Sequence, residues 1–111
     1  MAYNKTLAKD VEAILEKIAL PNLTSRKMFG GVGYLINGNM ACGVLGERFI
    51  ARIGKDTYDE ALAQPETSPF NTTGRAMRGW VFVDLIVDRE HANLETWVQR
   101  SVQFTLTLPP K

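Results

Sequence analysis

Between Arg26 and Ile53 the chain repeats one texture, short apolar clusters set apart by glycine. Most of the nine glycines fall in or beside this stretch, and at its centre stands Asn37-Gly38. A two-residue type I′ turn needs positive φ at both central positions, which Asn and Gly tolerate best, so this pair is the strongest hairpin signal in the chain. Gly46-Glu47 marks a second, weaker turn. Strands are expected near residues 26–29, 32–36, 39–45 and 48–53. The first two are either separate strands or one strand bent at Gly30-Gly31, with one of those glycines at positive φ. In the last, Arg48 and Arg52 alternate with Phe49, Ala51 and Ile53, the period of a sheet with one wet face.

Helical periodicity flanks this region. Leu7, Val11, Ile14, Leu15 and Ile18 form one apolar stripe over residues 6–19, with Thr6 or Asn4 as cap and Pro21 as stop. Asp56 is placed to cap a short helix near 57–63, ended by Pro65. Residues 64–74 read as loop and 75–86 as an extended run. A last helix is expected near 93–105, capped by Asp88 or Asn93, with Leu94, Trp97, Val98, Ser101, Val102 and Phe104 on its inner face. Sequential antiparallel strands with helices outside them define an α+β class. At 111 residues the chain is expected to be a single domain over 1–111, with no repeat or linker.

Composition narrows the function more by exclusion than by indication. One cysteine forms no internal disulfide, and no apolar run reaches the roughly 20 residues of a membrane helix. No signal-peptide core follows the polar start, so a cytoplasmic location is expected. His91 and Cys42, the only residues of their kinds, lie on different elements, so neither a metal centre nor a catalytic triad is expected. Cys42 sits in apolar strand text and reads as a small buried hydrophobe. Gly30-Gly31-Val32-Gly33 is followed by a strand, not a helix, and so is not a phosphate loop. No cofactor and no catalytic residue are expected, and the chain is read as a non-enzyme.

Charge is more informative. The net charge of +1 excludes a polyanion-binding tail but not a local basic patch, and residues 17–46 and 70–83 contain no carboxylate at all. Arg26, Lys27, Arg48, Arg52, Arg75 and Arg78 lie in strand-like text and form the candidate interaction surface, with Tyr34 or Trp80 available for stacking. Alternation along 75–80 would put Arg78 and Trp80 on one face, with Trp80 read as core.

The text Lys27-Met28-Phe29-Gly30-Gly31-Val32-Gly33-Tyr34, followed by Asn37-Gly38-Asn39-Met40, resembles the N-terminal domain of the TfoX/Sxy proteins. Arg52-Ile53-Gly54 with Tyr58, the pair Pro69-Phe70, Gly74-Arg75-Ala76-Met77-Arg78-Gly79-Trp80, and Leu94 with Trp97 continue the likeness in order. Short stand-alone members end in a similar tail to Leu108-Pro109-Pro110-Lys111. The resemblance implies a helix, three strands, a helix, two strands and a helix, a secretion-chaperone-like α+β fold. Within it Met28, Phe29, Gly30, Gly31, Gly38, Gly74, Gly79 and Trp80 form the structural motif. It also implies a link to competence regulation, where full-length members act as transcriptional co-regulators and carry a second domain after this one. The expected function is a small interaction module with a regulatory role, acting through a protein partner, as monomer or homodimer and without a membrane. Direct nucleic-acid binding through the basic sheet face is the alternative. Small-molecule binding or an uncharacterised enzymatic activity is the third reading.

Overall fold

The structure, a computed structural model, describes residues 3–18, 20–28, 30–71, 77–84 and 92–110. Its elements are α1 (Lys5–Ile18), β1 (Leu23–Met28), β2 (Gly31–Ile36), β3 (Asn39–Leu45), β4 (Arg48–Arg52), α2 (Tyr58–Leu62), β5 (Thr67–Pro69), β6 (Trp80–Asp84) and α3 (Ala92–Thr105). The six strands form one antiparallel sheet in the order β1-β2-β3-β4-β6-β5. The α+β class is as the sequence implies.

The first four strands form a meander of two-residue hairpins. Asn37 (φ 53°) and Gly38 (φ 83°) both take the positive φ that the I′ turn between β2 and β3 requires. Gly46, at φ 59°, opens the turn between β3 and β4. Gly30-Gly31 is not a bend within one strand. Met28 pairs with Gly31, so β1 and β2 are separate strands with two residues between them, of which Gly30 stands at φ 77°. Gly31 itself has ordinary φ but stands where a Cβ would collide with the Val44 carbonyl, so it is held by close approach of backbone to backbone.

Four strands, rather than the three that the family likeness implies, therefore precede α2. The stretch 64–74 is not all loop, because Thr67–Pro69 pairs with β6 as the outermost strand. Of the extended run expected over 75–86, residues 75–76 and 85–86 lie outside the described residues. Met77 to Gly79 form a turn closed by a Trp80 N–H to Met77 C=O bond of 3.1 Å, and β6 begins only at Trp80. Asn4 rather than Thr6 caps α1, its Oδ1 accepting from the Leu7 N–H at 3.0 Å. Asp56 does not cap α2. Thr57 takes the cap position without a side-chain cap bond, and its hydroxyl donates back to the Ile53 carbonyl at 2.7 Å. Asp88 lies outside the described residues, and position 93 falls inside α3.

All three helices contribute to one core on one face of the sheet. The strand register aligns Val32, Val44, Phe49 and Val83 in one row and Tyr34, Cys42, Ala51 and Val81 in the next. Leu7, Val11 and Leu15 of α1 and Leu94, Trp97, Val98 and Val102 of α3 close over these rows. α3 lies across β3 and β4, with α1 beside it. Cys42 is fully buried there, and burial pushes its thiol up to about 12. No described helix is long and apolar enough to cross a membrane.

Candidate interaction surface

Side chains alternate across a strand, so each core row implies an opposite row. Here that row runs Arg26, Gly33, Gly43, Ile50, Phe82, Ser68, flanked by Arg52 beside Trp80 and by Arg48 beside Asp84. No described helix lies on this face. Its apolar residues are shielded instead by rings and by arginine stems. Phe70, in the loop after β5, meets Phe82 edge-on at 5.0 Å and Trp80 at 6.0 Å between ring centres. The Arg48 guanidinium lies 4.4 Å over the Phe82 ring, and that of Arg52 lies 5.0 Å over Trp80. Beneath them Ile50 and Phe82 are buried, whereas Trp80 and Phe70 are half-exposed.

The two arginines differ. Arg48 is exposed. Arg52 is half-buried, donates to the Met40 carbonyl at 3.1 Å, and also approaches the Phe104 ring of α3 at 5.7 Å. Burial lowers its pKa, though an arginine remains charged throughout the ordinary pH range. Arg52 therefore ties strand to helix as well as facing outward.

The candidate surface residues do not all converge. Arg26, Arg48 and Arg52 share the open face. Lys27 is the next residue along β1 and points to the opposite side. Arg78 lies in the turn before β6, stacked 5.1 Å over Tyr58 and 4.0 Å from Asp59, with both charges exposed. It does not share the Trp80 side as strand alternation would require, because a turn replaces the strand there. Arg75, Phe29 and Gly74 lie outside the described residues, as does the Met28 side chain.

Tyr34 is not a stacking residue of this face. It lies in the core, where its hydroxyl donates to Glu12 at 2.8 Å and approaches the Ala8 carbonyl at 3.3 Å. Burial and the Glu12 carboxylate push its pKa well above the usual tyrosine range. Trp80 is a half-buried rim residue rather than core. The buried tryptophan is Trp97, whose indole N–H donates to Glu66 at 3.1 Å.

Phe70, Phe82 and Ile50 complete the surface, and no motif in the sequence singles them out for it. The only available signal was register: once Arg48 and Arg52 face outward, Ile50 between them must as well. Gly79 (φ 97°) matters differently, since its carbonyl accepts from the Ile53 and Gly54 N–H groups at 2.8 and 3.1 Å, locking the end of β4 to β6. A shallow open cleft of about 310 Å³ lies beside Gly54, lined by Asp56, Thr57, Arg100, Gln103 and Phe104. Its Arg100 is already engaged by Glu60 at 2.7 Å and by the Trp97 ring. Among the described residues no group of three or more His, Cys, Asp or Glu side chains gathers as a metal site.

Fold and surface together define an α+β module that buries one sheet face under helices and presents the other, armed with arginine and aromatic side chains. The TfoX N-terminal domain model matches residues 14–105, so the chain belongs to the TfoX N-terminal domain family. No curated protein and no solved structure matches it.

Proposed function

We propose that the protein is an interaction module with a TfoX-like regulatory role, working by protein contact rather than by catalysis. The observation that supports this most directly is the arginine-capped aromatic cluster of Arg48, Phe82, Phe70, Trp80 and Arg52 on the sheet face without helices. Trp and Arg are the residue types that most often carry binding energy at protein interfaces, and here they stand together, half-exposed. Competence or transcription regulation is the role the family suggests, and a cytoplasmic location fits it.

The test is a pull-down from the native cell extract, with Arg48→Glu as the matched control. A partner retained by the wild-type chain and lost by the folded variant supports the reading. Recovery of the same proteins with both, or a reproducible catalytic turnover, overturns it.

The convergence of Arg26, Arg48 and Arg52 on one face also favours a second reading, direct nucleic-acid binding. Against it, guanidinium groups already lie over Trp80 and Phe82, where bases would stack. Phosphate contacts release counterions, so this reading requires affinity for single-stranded DNA to fall steeply with salt. A flat response between low and physiological salt removes it.

A further inference from the structure

The two edges of the sheet are unlike. At one edge β5 is three residues long, contains Pro69 and is flanked by α2, the usual means of blunting an edge. At the other, β1 runs six residues without proline. Ser25, Arg26 and Lys27 are exposed and Leu23 is half-buried against the core.

The hydrogen-bonding sense of that edge follows from the register. Met28 and Gly31 close a two-residue loop, so they are a hydrogen-bonded pair, and Arg26–Gly33 and Thr24–Leu35 follow by alternation. The backbone N–H and C=O groups of Leu23, Ser25 and Lys27 therefore point away from the sheet. No described residue supplies them with a backbone partner.

We propose that β1 is a strand-addition site for an extended acidic segment of a partner protein. The inference extends the interaction-module reading by naming the edge and the chemistry of what docks there. Main-chain bonds to Leu23, Ser25 and Lys27 supply the pairing, and side chains set the choice. Arg26 and Lys27 stand on opposite faces of β1, so two consecutive carboxylates on the added strand meet one cation each. The half-buried Leu23 asks for an apolar side chain at the other end. No carboxylate lies between residues 17 and 46 to neutralise this edge from within. A second copy fits poorly: β1 against β1 sets four cations along two strands about 4.8 Å apart.

The experiment uses the full chain and a labelled peptide of alternating valine and threonine ending in two glutamates. Amide hydrogen exchange is followed residue by residue. With peptide, exchange at Leu23, Ser25 and Lys27 should slow by about fivefold or more, while the inward amides of Thr24 and Arg26 stay as they were. Ser25→Pro removes an outward N–H without touching the β1–β2 ladder, and should abolish binding. R26E/K27E together should weaken binding about tenfold, and a peptide ending in two lysines should restore it. If Ser25→Pro does not fold, this charge swap carries the test alone.

Protection that appears on concentrating the protein without peptide makes the edge a self-association seam and overturns the proposal. So does saturating peptide that leaves the three outward amides unprotected. A cellular partner lost with Arg48→Glu but kept by folded Ser25→Pro upholds the interaction module and overturns this edge assignment.

Discussion

The two faces of the sheet solve the same problem by different means. On the covered face, aliphatic and small side chains interlock with α1 and α3, and Val44, Phe49, Ala51, Val81 and Val83 lose all contact with water. Such packing approaches crystal density and leaves no freedom for a partner. On the open face, Ile50 and Phe82 are shielded by the Phe70 ring and by long, charge-tipped arginine stems. An arginine stem covers apolar surface while its head stays in water. One face is thus closed by interlocking side chains, and the other holds its apolar residues under a cover of rings and charge-tipped stems.

The sharpest way to break this comparison is a pair of truncations. Phe49→Ala should cost about 3–5 kcal/mol, through lost transfer energy plus a cavity that α3 cannot fill. Trp80→Ala removes a larger ring, yet its site already opens to solvent, so about 2 kcal/mol is expected. Chemical denaturation of both variants measures this. Equal costs would mean that the open face is as tightly packed as the covered one.

Next in size is an alkaline effect confined to the covered face. Cys42 is held near 12 in the folded chain, against about 8.5 for an exposed thiol. Above the unfolded pKa the unfolded chain sheds a proton that the folded chain keeps, so stability falls as pH rises. The contribution is whole below about pH 8 and declines by about 1.4 kcal/mol per pH unit above about pH 9. Tyr34, also raised, adds to the slope above about pH 10. Unfolding midpoints between pH 8 and 10 should drop for the wild type and drop less for Cys42→Ala. Identical slopes would place the thiol in contact with water.

The smallest effect belongs to Arg48. Its stack on Phe82 is exposed, so Arg48→Ala should change stability by about 1 kcal/mol or less. A thermal melt checks it. A larger loss would mean that the arginine holds the face together rather than shields it.

Much of this arrangement was legible in one dimension. The I′ turn at Asn37-Gly38 was, because few residue pairs tolerate positive φ twice in succession. The stripes of α1 and α3 were, because each repeats its apolar period over three turns or more. The burial of Cys42 followed from its apolar strand neighbours. β5 was not legible: Thr67-Ser68-Pro69 has no apolar alternation, and it is a strand only because β6 offers an edge to pair with. The Met77–Gly79 turn escaped for the opposite reason, since its text continues smoothly into a genuine strand.

The candidate site divides in the same way. The sequence alone determined that cations occur in strand-like text, with Arg48 and Arg52 on a common face, because alternation in a strand is local. Which cations meet across strands was a tertiary matter. Register brought Arg26 to that face and left Lys27 on the other, and a turn carried Arg78 to α2. Tyr34 went inward for the same reason: its parity matches Val32 and Ile36, and the helices cover that side. Local spacing assigns a side chain to one of two faces. Only the packing of the helices decides which of the two becomes the core and which remains a surface.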